Sequence, residues 1–150
     1  MPIRPMTEAD LPAVLQLQSA LAFQAWNEKQ FLSELHASYA LCLVDEEGGA
    51  LAGYAIFHLM GSDSELLSIA VAPQFQRQGL ASRLLAEGLN KLDTQDDVCF
   101  LEVRQGNVPA RTLYEKHGFI EYGERRNYYS DGETAILYKW QSPKGNNPCC

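Results

Sequence analysis

No apolar run in this sequence approaches the roughly 20 residues that a membrane-spanning helix requires. The charge in Met1-Pro2-Ile3-Arg4-Pro5 is not followed by an apolar signal region, so a secreted form is not expected and the cytoplasm is the expected compartment. Cysteines are few: Cys42 and Cys99 lie inside apolar runs, and Cys149 and Cys150 end a polar tail. None has metal-ligand spacing with a histidine partner, so the expectation is reduced thiols and no metal. Cations are scarce, with 12 Lys and Arg against 19 Asp and Glu and a formal net charge of −7. That excludes a phosphate-backbone binder and hence a nucleic-acid partner, while an acidic cleft would concentrate amines and basic peptides. Internal repeats and interior linkers are also lacking. The one low-complexity stretch, Ser142 to Cys150, holds two prolines, a glycine and two asparagines. A single domain over 1–141 and a loose tail over 142–150 follow.

What is present suits one ordinary domain. The chain has 150 residues, 46% hydrophobic and 21% charged, enough to bury a core without disulfides or metal. Ile3-Arg4-Pro5 is a short edge-strand candidate. Thr7 reads as a helix cap with Asp10 three residues on, and the helix runs to about Leu21 with Met6 and Leu11 as its staple. Asn27 with Gln30 repeats the device, stapled by Trp26 and Phe31, for a helix to about His36. Tyr39 to Asp45 and Leu51 to Met60 are β-rich runs joined through Glu46-Glu47-Gly48-Gly49. Glu65 to Val71 is a further strand, and a helix from Leu80 to Leu92 puts Leu80, Leu84, Leu85, Leu89 and Leu92 on one face. Val98 to Val103 is a strand, and Asn107 to His117 a helix that Gly118 stops. Strands near Glu121–Tyr129 and Thr134–Trp140, joined through Asp131-Gly132, finish the pattern. The order β-α-α-β-β-β-α-β-α-β-β implies an α/β (mixed α+β) fold, a mixed sheet with helices on both faces. The strand–helix–strand unit from Glu65 to Val103 needs a right-handed crossover, so its two strands should run parallel.

The segment Leu67 to Ala81 combines a buried strand, a polar turn and a helix start. Gly79 and Ala81 are small, so backbone N–H groups of that turn can approach an anion closely. The helix dipole favours negative charge there, and Arg77 adds a cation. A Walker motif is absent, and so is the three-glycine dinucleotide pattern. On spacing alone the segment is equally an ordinary strand-to-helix turn.

The pattern Gln76-Arg77-Gln78-Gly79-Leu80-Ala81 resembles the acetyl-CoA motif of the GCN5-related N-acetyltransferases (GNAT). The stretch from Leu101-Glu102-Val103-Arg104 through Asn107 and Ala110 to Leu113-Tyr114-Glu115-Lys116-His117-Gly118-Phe119 resembles the second half of that fold. The likeness covers about Ile3 to Trp140. Within the family it is nearest the RimI type, the ribosomal-protein alanine N-acetyltransferases, through Ser68-Ile69-Ala70-Val71, Leu101 to Arg104, and Arg125-Arg126-Asn127-Tyr128-Tyr129. Ala22-Phe23 and Trp26 to Phe31 are similar as well. Ala81 departs from the family's glycine, and one extra residue stands near Gln24-Ala25, where substrate is held.

The resemblance implies a fold, a cosubstrate and roles. Acetyl-CoA would lie along Ile69, Ala70 and Val71, whose backbone would polarise the thioester carbonyl. It would continue over Arg77, Gln78, Gly79, Leu80, Ala81 and Ser82, with Asn107 and Tyr114 also touching it. Glu102 would be the general base and Tyr114 the general acid that protonates the leaving thiolate. Alternation places Leu101 and Val103 on the face opposite Glu102. A structural acid at 102, a half-buried core tyrosine at 114 and a plain helix cap at Asn107 are the other readings. Tyr128 and Tyr129 would hold an incoming peptide N-terminus, or are simply β-formers beside a turn. His36, His58 and His117 are scattered and read as structural. The implied partner is a protein N-terminus, that of a basic, alanine-starting ribosomal protein, taken by a monomer or weak dimer. A small-molecule amine acetyltransferase on the same fold, or a CoA-binding module without turnover, stays open.

Overall fold

A computed structural model describes residues 3–21, 26–61, 63–92 and 98–142. The expectations for Ala22-Phe23, the extra residue near Gln24-Ala25 and the tail cysteines lie outside the described residues. The elements are β1 (Ile3–Pro5), α1 (Leu11–Ser19), α2 (Glu28–His36), β2 (Ala40–Glu47), β3 (Ala50–Met60), β4 (Asp63–Val71), α3 (Leu80–Leu92), β5 (Val98–Arg104), α4 (Val108–Lys116), β6 (Ile120–Arg125) and β7 (Ala135–Gln141). Short 3-10 turns occupy Glu8–Asp10 and Pro73–Phe75. This is the order expected from the sequence. The chain forms two compact units, one from the described residues of Met1–Leu59 and Leu66–Gly88, the other from those of Met60–Glu65 and Leu89–Cys150. The divisions fall at the end of β3 and within β4 and α3.

In the first unit the strands run β1-β2-β3-β4. β1 and β3 are both antiparallel to β2, with Ile3 opposite Asp45 and Leu43 opposite Ala55. The hairpin turn is tighter than the four residues expected. The strands continue to Glu47 and resume at Ala50, leaving only Gly48 and Gly49, with φ of 59° and 84°. Two left-handed residues match the twist of flanking strands, and glycine adopts them without steric cost. α2 begins on the expected capping pair: Gln30 N–H donates to Asn27 Oδ1 and Asn27 N–H to Gln30 Oε1, each at 2.8 Å. The Trp26 and Phe31 rings meet at 5.2 Å.

The start of α1 differs from the expectation. Glu8–Asp10 is a 3-10 turn and the helix ends at Ser19 rather than Leu21. Thr7 and Asp10 form the expected capping box at that turn, with Thr7 N–H donating to Asp10 Oδ2 at 2.8 Å and the Thr7 hydroxyl 3.2 Å from the same atom. Val14, Phe31, Val44, Tyr54 and Ile56 form the core, completely buried. Gln18 is buried among them with its amide satisfied, donating to Trp26 O at 2.8 Å and accepting from Trp26 N–H at 3.0 Å and from the Tyr54 hydroxyl at 3.1 Å. A buried amide is stable only when so paired. Leu80, Leu84, Leu85 and Leu89 of α3 are buried, as their spacing predicted.

In the second unit the order is β4-β5-β7-β6. β4 and β5 are parallel, Ser64 opposite Cys99, as the crossover argument required. β7 is antiparallel to both β5 and β6, with Glu102 opposite Leu137. β5 alternates strictly: Cys99, Leu101 and Val103 are buried, and Phe100 and Glu102 lie half-buried on the other face. α4 starts at Asn107, whose Oδ1 accepts from Ala110 N–H at 3.3 Å, and stops at Gly118, where φ is 96°. β6 is shorter than the Glu121–Tyr129 run expected. Asn127 turns left-handed, φ 53°, so the strand ends at Arg125, and Tyr128 and Tyr129 lie in the loop before β7. Cys42 and Cys99 are buried, and neither forms a disulfide. No helix among the described residues is long and apolar enough to cross a membrane.

Candidate active site

The turn that ends β4 is shaped by its backbone. Arg77 has φ 65° and Gly79 φ 81°. A left-handed arginine is strained by about 1–2 kcal/mol, and such residues concentrate where backbone must face a ligand. Gln76 folds the turn back by donating its amide to Val71 O at 3.1 Å. Gly79 O accepts from Arg83 N–H at 3.0 Å, so Gly79 caps α3 and the N–H groups of Leu80 and Ala81 precede any helical acceptor. Nothing lies within 4 Å of where a Gly79 side chain would begin, so the space over the turn is open. Arg77 and Gln78 are exposed there, and Ala81 and Ser82 half-buried. Successive N–H groups over an open, left-handed turn at a helix start fit a pyrophosphate. Ile69 is half-buried and Ala70 and Val71 buried on β4. Gly53 lets that strand come close: a methyl at 53 would meet Ala70 O at 2.8 Å and Leu84 Cδ1 at 3.1 Å.

The other predicted residues belong to the second unit. Glu102 projects from the open face of β5, its side chain 28% exposed, with Oε2 3.3 Å from Arg125 Nε. Arg125 in turn lies over the Tyr128 ring at 5.6 Å. The Tyr128 phenol is pushed above its ordinary value, first by its side-chain interaction with Glu102. Tyr129 stacks edge-on against Tyr128 at 5.2 Å and lies under the Arg104 guanidinium at 4.1 Å. Its phenol is raised by burial and then by Glu102. Arg104 also bonds Asp131 and Glu133, each at 2.9 Å, and Glu133 accepts Gly106 N–H at 2.8 Å, which fastens the tyrosine loop to the end of β5. The structure therefore brings Glu102, Tyr128 and Tyr129 together, and adds Arg125.

Tyr114 lies on the opposite face, 6% exposed, between Phe119 and Tyr138 at 5.8 and 6.3 Å. Burial drives its phenol well above the ordinary range, with smaller contributions from Tyr129 and Cys99. Asn107 is the helix cap already described. The histidines are dispersed: His58 bonds Glu34 at 2.6 Å, His36 lies 3.2 Å from Glu8, and His117 is half-buried at the end of α4. Among the described residues no three His, Cys, Asp or Glu side chains converge as metal ligands would.

Beside Glu102 a cleft of about 230 Å³ opens. Met60 and the β4 residues Asp63 to Glu65 line it together with Phe100 to Glu102 of β5, Tyr122 and Arg125 of β6 and Leu137 of β7. Sequence reasoning did not find these residues as a group. Glu65 and Phe100 become neighbours only through the β4–β5 register, which no local pattern encodes.

The fold and these features define an acyl-transfer family. A model of the acetyltransferase (GNAT) family matches residues 11–119, and the chain belongs to that family. Ribosomal protein bS18-alanine N-acetyltransferase of Escherichia coli K12 is 37% identical over 139 residues, 90% of this chain and 93% of that protein. N-alpha-acetyltransferase RimI of Mycobacterium tuberculosis is 33% identical over 130 residues, 83% and 81% of the two chains. The crystal structure of the ribosomal-protein-S18-alanine N-acetyltransferase from E. coli superposes with a TM-score of 0.86 at 35% identity, covering 93% of this chain and 92% of that one. The family expected from the two motifs, and its fold, are thus borne out.

Proposed function

We infer that this acetyltransferase moves the acetyl group of acetyl-CoA to the N-terminal α-amine of a protein, an alanine-starting ribosomal protein in the cytoplasm. The supporting observation is the Glu102–Arg125–Tyr128 cluster on the open face of β5: a carboxylate at the mouth of a cleft, beside a tyrosine loop. The bS18-alanine specificity named for relatives 37% identical over nine-tenths of the chain gives the acceptor class.

The Arg77–Ser82 turn would hold the pyrophosphate of acetyl-CoA through N–H groups, and the β4 backbone from Ile69 to Val71 the thioester end. The acceptor arrives as an ammonium, which is not nucleophilic. Glu102 takes a proton from it, directly or through water. The neutral nitrogen then forms a bond to the thioester carbon, and the C–S bond breaks as the tetrahedral intermediate collapses. Tyr114 delivers its proton to the departing thiolate, and the second proton shed by the nitrogen as the amide forms restores the phenol, directly or through water. The buried setting that raises this phenol raises a thiolate's proton affinity in the same way. Tyr128 and Tyr129 orient the incoming chain.

Acetyl-CoA offered with a panel of peptides and small amines, products being weighed, tests the acceptor. Acetylation at an alanine α-amine is expected, and acetylation of lysine side chains or small amines only would overturn the reading. Glu102→Gln should lose on the order of 10²–10⁴-fold in turnover while still binding CoA. Parental turnover at neutral pH would remove Glu102 from the base role.

A further inference from the structure

The turn at the start of α3 opens onto free space at Gly79 and carries a left-handed Arg77, so its shape is set by what lies behind it. On the strand side the hold is backbone. The β2–β3 ladder shifts at this point: Asp45 lies opposite Gly53 and Glu46 opposite Leu51, which leaves Ala52 as the extra residue of a bulge. The Ala52 carbonyl accepts from Ala72 N–H at 2.8 Å, where β4 has just ended. Ala52, Val71 and Leu80 form a small buried cluster, with Phe75 and Ala81 packed against it. On the helix side the hold is ionic. Arg83 donates its backbone N–H to Gly79 O at 3.0 Å. Its guanidinium reaches β2, where Nη2 donates to Asp45 Oδ2 at 3.0 Å and to Glu47 Oε2 at 2.5 Å. Glu46, between these two acids, pairs with Arg4 instead at 3.0 Å.

Stability does not account for this pair. The Asp45 side chain is fully buried, and its Oδ1 has no hydrogen-bond partner among the described residues. A buried carboxylate with one oxygen unmet is costly, and an apolar pair of similar volume is as stable or more so. Arg83 is also a cation in the first turn of a helix, where the dipole disfavours one. The Glu47 carboxyl is pushed above its ordinary value, first by its side-chain interaction with Asp45, so the two acids compete for one guanidinium. What the arrangement supplies is direction. A charged hydrogen bond fixes the rotation of the first turn, which apolar contacts alone leave free to slide. That rotation decides where the N–H groups of Leu80 and Ala81 point.

We propose that Asp45 and Arg83 are positioning residues for the cosubstrate: their ion pair locks the first turn of α3 to β2, so that the Leu80 and Ala81 N–H groups are aimed at the pyrophosphate before it binds. Both act through the backbone of the turn rather than by contact with the ligand. The proposal rests on the reading of this turn as the acetyl-CoA site and adds the device that keeps it in shape.

The test replaces both partners at once, so that no charge is left buried alone. In the full chain, Asp45→Leu with Arg83→Met should keep the parental Tm or raise it. Calorimetry should nevertheless show CoA bound about tenfold more weakly. With an alanine-starting peptide as acceptor, KM for acetyl-CoA should rise in step while kcat stays within about twofold. Arg83→Lys, which keeps a cation on Asp45, should recover most of the affinity. Asp10→Asn, whose parental bonds are to Arg4 and Thr7, controls for lost stability: it should lower Tm and leave the CoA Kd unchanged. A double variant that binds CoA as tightly as the parent overturns the proposal, as does a loss carried by kcat with KM unchanged. An equal loss of affinity in Asp10→Asn overturns it too, because the effect would then be one of stability. Should the double variant not fold, Asp45→Asn decides: its CoA Kd should rise several-fold, and an unchanged value sinks the proposal. If the parent itself binds no CoA, the reading of the turn fails; CoA bound equally by parent and variants removes the positioning role alone.

Discussion

At the scale of single residues, the best-held charge is Asp10. Arg4 clasps its carboxylate with two N–H groups at 2.8 and 2.9 Å, and Thr7 N–H adds a third bond at 2.8 Å. The Arg4 guanidinium, chiefly, holds the Asp10 carboxyl below its ordinary value. A depressed carboxyl stabilises the fold above its unfolded pKa, near 4, and loses that contribution as pH falls through the folded value. Asp10→Asn should therefore cost about 1–2 kcal/mol at pH 7. Urea unfolding at pH 7 and pH 3 should show the gap between parent and variant narrowing in acid; a gap independent of pH would mean that the charge is not the cause. Thr7 and Asp10 were visible as a pair in the sequence, but Arg4 was not their visible partner. The antiparallel pairing of β1 with β2 fixes the strand that carries it, and with that its direction.

Elements depend on what neighbours allow. α3 carries Gly88, which an isolated helix would exchange for alanine with a gain of about 1 kcal/mol. In the fold a methyl at 88 would lie 2.1 Å from Phe57 Cζ of β3. Gly88→Ala should therefore lower stability by about 1–3 kcal/mol through overpacking, seen as a lower Tm. Phe57→Leu in the Gly88→Ala background should restore part of the loss, and a Tm raised by Gly88→Ala alone would contradict the packing. Helices and caps were legible because their signals are local: the Asn27–Gln30 box and the Gly118 stop lie where their residues predicted. The end of β6 was not. Arg125 to Tyr129 is a good strand sequence, and a left-handed Asn127 turned it into the loop that brings Tyr128 to Glu102.

Across the whole molecule, a net charge of −7 favours approach of a cationic acceptor. Screening shortens from about 10 Å at 0.1 M salt to about 3 Å at 1 M. kcat/KM for a lysine-bearing peptide should fall several-fold over that range, while a norleucine peptide changes little. Equal responses of the two peptides would remove any steering by the protein's charge. The sequence by itself determined the order of elements, the parallel pair β4–β5, the family and the side of β5 that carries Glu102. These depend on periodicity, caps and short motifs, which act over a few residues. Tertiary structure decided what Glu102 meets. Arg125 is 23 positions away in the chain and Glu65 is 37, and only strand register sets them beside it. Register depends on burial and pairing summed over the sheet, so the cleft became visible only once the strands were in place.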